Sequence, residues 1–369
     1  MASSKPTIFV LGFGSIGAML ASHLQQQTQA LIVPLFRSEK RLHDFQENQN
    51  AVAVTSLFKE SQECVKSVFD RAICPERIPD GCKIDNLIVT TKTYQTKEAI
   101  SPLLKYLHAG TNVILIQNGL GVFETVTEEV FTTFRPQLFQ GVISHGIFQD
   151  KPFSFKHAGF GDLKIARLPI DEVHGVVQSL DEVAQDAAKN MLVRALTNPN
   201  FVTSMNVKHL TYQELLLSQL EKFLVNACIN PITSIVDCIN GELEHIARPI
   251  FDAIITEALE ILKVAYKPLF EYNATGPGYP KLDVHGILER KRLLDFIIRI
   301  GCVVNGNNSS SMRQDTLNLR DTEVEYINGY IVRLAKSLGL PASTFKTNQT
   351  VETLVNLRLG LNRLRSHKV

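Results

Sequence analysis

Residues 7–27, TIFVLGFGSIGAMLASHLQQQ, decide the fold class. Thr7-Ile8-Phe9-Val10-Leu11 is a continuous apolar run, as a parallel strand buried on both faces requires. It leads straight into Gly12-Phe13-Gly14-Ser15-Ile16-Gly17, and a helical pattern follows. GxGxxG alone is a weak signal, but between a strand and a helix it reads as a dinucleotide-binding turn. The first glycine allows the tight turn and the second lets backbone approach a pyrophosphate. The third lets helix pack on strand, and the helix N-terminus faces the anion. Gly12, Phe13, Gly14, Ser15, Ile16 and Gly17 are therefore the expected cofactor loop, against the competing reading of a structural glycine turn.

Working outward, Leu31 to Phe36 reads as the second strand and Arg37 follows it. In such folds the position about twenty residues past the glycines meets the adenosine ribose, where an acid selects NAD. An arginine offers a planar cationic fork to a 2′-phosphate instead, so NADP(H) is favoured. Lys40 and Arg41 add charge; a solvated basic loop is the bland alternative. Ala51 to Val54 reads as a strand, while Ser56 to Arg77 shows no clear period. Strands then recur at Asn86–Thr90 and Asn112–Ile116 around a helix from about Thr96 to Leu107, the alternation of a parallel sheet with covering helices. Lys92 and Asn118 sit just past the carboxyl ends of those strands, where such sheets bind ligands. Gln140 to Ile147 and Asp162 to Ala166 read as further strands, with Lys156–Gly161 as a hairpin turn. His145 and His157 read as structural or peripheral, and residues 168–210 as the run-out from the first domain.

From about Tyr212 the period is helical. In Glu214–Asn240, Lys222, Asn226 and Asn230 recur every fourth residue and so share one helix face, within otherwise apolar surroundings. A buried lysine and two buried amides cost free energy unless something satisfies them, and an exposed polar stripe is the alternative. Further helices are expected at Ile250–Tyr266, Val284–Val303 and up to Leu338, with Gly339 as a stop. The expected architecture is α/β plus all-α. Residues 1–208 form a Rossmann-type NADP-binding domain and residues 209–369 a helical substrate and catalytic domain, with the active site in the interdomain cleft.

Composition removes other classes. In 369 residues, 44% hydrophobic and 20% charged content are globular values. A net charge of +1 provides no footprint for nucleic acid or an anionic membrane. No apolar run approaches the roughly 18 residues of a membrane span. Six scattered cysteines lack metal-like spacing and read as reduced thiols, and a cytoplasmic protein is expected. Oligomeric state is not read from the sequence; a homodimer stays open.

Several segments together resemble the ketopantoate reductases over nearly the whole chain. They are Gly12–Gly17, ILIQNGLG at Ile114–Gly121, KHAGFG at Lys156–Gly161, LEKFLVNACINPIT at Leu220–Thr233 and SSMRQDTLNLRDTEVEYINGYIVRLAKSLGL at Ser310–Leu340. The resemblance implies NADPH-dependent reduction of a 2-oxo acid, 2-dehydropantoate (ketopantoate) to pantoate in pantothenate biosynthesis. Lys222 would be the catalytic general acid and Glu323 its carboxylate partner, also facing the cofactor. Asn226 and Asn230 would contact substrate, Ser311 would bind the substrate carboxylate, and Asn118 would lie beside nicotinamide and reacting carbon. Arg37 would hold the 2′-phosphate, and Lys92 would contact cofactor. Residues 55–85 and 265–308 are longer than in compact members. Reduction of another oxo acid and a non-catalytic NADP(H)-binding regulator are the alternatives; presence of the full residue set favours the enzyme.

Overall fold

The computed structural model describes residues 5–169 and 177–366. Two compact units divide the chain. Met1–Gln117, Val122–Leu215 and Gly276–Pro280 form the first; Asn118–Gly121, Leu216–Thr275 and Lys281–Val369 form the second.

The strands of the first unit are, in chain order, β1 (Thr7–Leu11), β2 (Leu31–Leu35), β3 (Ala51–Ser56), β4 (Cys64–Val68), β5 (Asn86–Val89), β6 (Asn112–Ile116), β7 (Gln137–Ile143), β8 (Gly146–Lys151), β9 (Ser154–Gly159), β10 (Leu163–Arg167) and β11 (Val207–His209). The main sheet has the order β2-β1-β5-β6-β7-β10-β11. It is parallel from β2 to β7, and β10 then turns antiparallel to β7. Full burial of Ile8, Val10, Leu87, Ile88, Val113 and Leu115 explains the unbroken apolar runs. Pro34, which has no N–H to give, sits in the edge strand β2. Helix α1 (Ser15–Gln27) leaves the glycine turn, and α2 (Glu39–Glu47) follows β2.

A second sheet, β4-β3-β9-β8, corrects two expectations. The stretch after Ser56 without clear period contains β4, which pairs antiparallel with β3 and exposes most of its residues. Lys156–Gly159 is strand, not turn: β9 pairs with β3 and β8, and Phe155 and His157 alternate into the interior. Part of the 168–210 run-out, residues 170–176, lies outside the described residues.

His145 and His157 form a buried pair. His145 Nδ1 lies 3.0 Å from His157 Nε2 and accepts from the Gly161 N–H at 3.1 Å, while His145 Nε2 faces the Met205 carbonyl at 3.0 Å. His157 Nε2 also faces the Gly159 carbonyl at 3.1 Å. A carbonyl requires the proton on each Nε2, so a second proton on His145 Nδ1 would point at two donors. Burial, reinforced by neighbouring histidines, holds His157 down at about 4 from the usual 6.5. Burial does the same for His23, also to about 4, and lowers His145. The folded chain thus keeps these rings neutral, and unfolding lets them take protons. The contribution of His157 and His23 to stability is full above about pH 6.5 and is lost as pH falls toward 4. Thermal melting followed from pH 7.5 downward is expected to show this loss, with a shallower slope in His157→Gln. An identical slope in that variant would remove His157 from the acid response.

The second unit is helical. The long helix Tyr212–Val236 contributes everything from Leu216 onward to it; the helix starts on a capping box in which the Glu214 carboxylate accepts from Thr211 N at 2.9 Å and Glu214 N donates to Thr211 Oγ1 at 3.4 Å. It ends with Asp237 in the left-handed region (φ 57) and Cys238 N donating to the Thr233 carbonyl at 3.3 Å, a Schellman stop. The helices Arg248–Ala265, Asn328–Ser337 and Lys346–Ser366 follow. The single helix expected over Val284–Val303 is instead Val284–Ile287, then Arg290–Ile297, then a widened turn Ile298–Val304. The Glu289 carboxylate accepts from Lys291 N and Arg292 N, which starts a new helix at that point. Among the described residues, no helix is long and apolar enough to cross a membrane.

Candidate active site

In the first unit, the glycine loop is shaped by β5's end. Gly12 has φ +92, and a Cβ there would lie 2.5 Å from Thr91 N. Thr90 Oγ1 donates to the Gly12 carbonyl at 2.7 Å. A Cβ on Gly17 would meet the Gly12 carbonyl at 2.4 Å, so the third glycine lets α1 start close against the turn. Around Gly14 a Cβ would meet nothing within 4 Å. Gly14 is the N-cap of α1, with no side-chain cap and no acid in the first turn. Open space before uncapped helical N–H groups fits a pyrophosphate. Phe13 contributes backbone only, because its ring is buried edge-on against Phe36, Phe45 and Phe69 at 5.3–5.7 Å.

Arg37 is exposed, with Phe36 between it and the end of β2, and stands directly before Ser38, the N-cap of α2. A guanidinium and a helix N-terminus at one place both favour an anion. Arg41 is partly committed elsewhere, over the Phe153 ring at 5.9 Å. Lys92 begins the turn after β5, where its carbonyl accepts from Gln95 N at 2.9 Å. The uncapped start of α1 and the exposed Arg37 beside the α2 N-terminus are thus two places whose chemistry suits phosphate groups.

In the second unit, the polar face of the long helix is half-buried at Lys222 and Asn226 and buried at Asn230. Lys222 Nζ donates to Asn118 Oδ1 at 3.0 Å, a contact spanning 104 residues of chain. The short loop carrying Asn118 is held from two sides. Gln219 Nε2 donates to the Gly119 carbonyl at 3.4 Å, and Leu120 N donates to the Tyr326 carbonyl at 3.1 Å. Gly119 has φ +81, and a Cβ there would lie 2.4 Å from the same Tyr326 carbonyl, so only glycine lets the loop seat. Glu323, 5% exposed, opens the turn Val324–Tyr326 on which that loop rests. Lys222, Asn118 and the Glu323 turn are thereby brought together.

Ser311 is exposed at the first position of the helix Ser311–Leu317. Its neighbour Ser310 is the buried N-cap, sharing a 2.6 Å hydrogen bond with Thr233 on the long helix. Asp237 adds a second tie by accepting from Arg313 Nε at 2.9 Å. These links fix Ser311 relative to Asn230. The sequence reading missed Asn240, which is 6% exposed with a buried Oδ1 that has no hydrogen-bond partner. An orphaned buried carbonyl beyond the end of the polar helix is a candidate substrate contact, and nothing in its local sequence marks it.

The family Ketopantoate reductase PanE/ApbA matches residues 8–169, and its C-terminal counterpart, Ketopantoate reductase PanE/ApbA C terminal, matches residues 214–357. The chain belongs to the ketopantoate reductase family. Within that family it is similar to the 2-dehydropantoate 2-reductase of Saccharomyces cerevisiae, at 50% identity over 371 residues, 99% of this chain and 97% of that protein. It is also similar to a probable 2-dehydropantoate 2-reductase of Schizosaccharomyces pombe, at 37% identity over 98% of this chain and 99% of that protein. Among solved structures, the ternary structure of D-mandelate dehydrogenase with NADH and anilino(oxo)acetate aligns with TM-score 0.74 at 18% identity, over 97% of this chain and 99% of that one. That likeness shows a shared fold. Ketopantoate reductase membership thus joins a Rossmann-type unit and a helical unit in one oxidoreductase.

Proposed function

We propose that Lys222 is the proton donor in the NADPH-dependent reduction of 2-dehydropantoate to pantoate. Ketopantoate reduction is supported by family membership and by 50% identity to the Saccharomyces cerevisiae enzyme. The observation that carries the role of Lys222 is its 3.0 Å hydrogen bond to Asn118 on a half-buried polar helix face. The bound coenzyme supplies a hydride to the carbonyl carbon. Negative charge develops on the carbonyl oxygen, and an ammonium beside it stabilises that charge and transfers a proton to it. Asn118 accepts one N–H of Lys222 and so orients the ammonium. Solvent then reprotonates the neutral amine.

Asn226 and Asn230 offer amide donors one and two turns on, and orient substrate without adding charge. Ser311 is assigned to the substrate carboxylate, Glu323 to keeping the lysine charged, and Arg37 to the 2′-phosphate. Lys92 and the Gly12–Gly17 loop complete the coenzyme contacts. Residues 1–208 accordingly serve the coenzyme and 209–369 the substrate.

The test is NADPH oxidation, followed by absorbance, against branched 2-oxo acids including ketopantoate. Ketopantoate is expected to give the highest kcat/KM. Tight NADPH binding with no turnover of any of these acids would replace the reductase by a coenzyme-binding regulator.

A further inference from the structure

The long helix contains a proline, Pro231, next to Asn230. Proline has no N–H, so the carbonyl four residues earlier, that of Ala227, loses its helical donor. Ala227 is fully buried, and water does not reach it to compensate. The replacement donor comes from another helix: Asn328 Nδ2 donates to the Ala227 carbonyl at 3.1 Å. Asn328 is itself 0% exposed and is the first residue of the helix Asn328–Ser337.

The direction of this amide is determined by what lies beyond it. Asn348 Nδ2 donates to Glu257 Oε2 at 3.0 Å and to the Ile254 carbonyl at 3.3 Å, both acceptors. Asn348 must therefore turn its Oδ1 toward Asn328, whose Nδ2 donates to it at 3.0 Å. Glu257 also accepts from the backbone N–H groups of Thr347 and Asn348, at 2.7 and 2.9 Å. A carboxylate at one end thus orients two buried amides in series, and the last aims a donor at the helix defect. The defect falls between Asn226 and Asn230, and Asn328 lies five residues beyond Glu323 in the chain.

We infer that Asn328 is a positioning residue, which supplies the hydrogen bond Pro231 removes and so sets the spacing of Lys222 and Asn226 from Asn230. This rests on the roles assigned above to those three residues. Small errors in the placement of such groups are costly, and a misplacement of about 1 Å can cost ~10²-fold in kcat/KM.

The test is a four-protein cycle of the unsubstituted chain, Asn328→Leu, Pro231→Ala and the double variant. Asn328→Leu is expected to lower kcat/KM for ketopantoate by ~10–100-fold, mainly through KM, with NADPH affinity unchanged. Pro231→Ala restores an N–H opposite the Ala227 carbonyl, so in the Asn328→Leu background it should recover most of the loss. A lower melting temperature for Asn328→Leu with unaltered kcat/KM would make Asn328 a stability residue only and overturn the inference, as would failure of Pro231→Ala to recover activity. If Asn328→Leu alone does not fold, Pro231→Ala and the double variant are compared. Similar KM values support the inference, and a gap of about tenfold or more, the size of one lost buried hydrogen bond, overturns it. Coupling between positions 231 and 328 in the melting temperatures needs no substrate. Absence of turnover in the unsubstituted chain would therefore remove the reductase reading, whereas turnover without coupling would remove only this one.

Discussion

Replacing Lys222 by alanine is expected to lower kcat for ketopantoate by ~10²–10⁴-fold, the usual contribution of a positioned general acid, and to leave NADPH affinity unchanged. The split follows from where the groups sit. Lys222 Nζ is bound to Asn118, and both belong to the helical unit. The uncapped N-terminus of α1 and Arg37 belong to the other unit. Deleting the ammonium removes stabilisation of the developing alkoxide, an interaction made in the transition state, so kcat falls rather than coenzyme binding. Lys222→Met, which keeps the aliphatic stem, separates charge from packing and should be nearly as impaired. Steady-state kinetics with a fluorescence titration of NADPH reads both quantities. An alanine variant that turns over normally would exclude Lys222 as the proton donor.

The second large effect is on coenzyme choice. Arg37→Ala should raise KM for NADPH ~10–100-fold, the worth of one or two charge-assisted hydrogen bonds, and leave KM for NADH unaltered. Arg37 is exposed, so its removal leaves no buried vacancy and the fold should tolerate it. The N-terminus of α2 remains as a weaker attraction for the 2′-phosphate, since Ser38 still caps it. Arg37→Asp adds a carboxylate at the same place and should move preference further toward NADH. Equal losses with both coenzymes would place Arg37 outside the 2′-phosphate site.

How much of this was legible beforehand depends on how local each signal is. The strands β1, β5 and β6 are buried on both faces, so their apolar runs could be read directly, and the glycine loop identified its own surroundings. β4 could not be read: CVKSV is largely exposed, and its pairing with β3 is a tertiary fact. β9 reads as a turn from sequence because Gly159 and the following Gly161 outweigh the alternation of Phe155 and His157. The helix Lys346–Ser366 was not anticipated. Its interior positions Val351, Val355 and Leu359 share their turns with exposed Leu354, Leu357, Leu361 and Leu364, which blurs the amphipathic pattern. In the site, the stripe Lys222–Asn226–Asn230 lies within one helix and was visible as a period. The Lys222–Asn118 bond, the Ser310–Thr233 tie and the orphaned Asn240 Oδ1 depend on contacts far apart in sequence, and local patterns carry no trace of them.

The loop Asn118–Gly121 lies between β6 and β7 in sequence yet clusters with the helical unit, and Gly276–Pro280 makes the reverse excursion. No single cut in the gene therefore yields two self-sufficient halves. A fragment ending near residue 208 would carry away the acceptor of the Lys222 ammonium, and its complement would keep the lysine without it. Recombination that grafted the helical half onto a different coenzyme-binding half would have to bring its own Asn-Gly loop at the matching strand end. A graft of the helical half is therefore complete only when the Asn118–Gly121 loop travels with it.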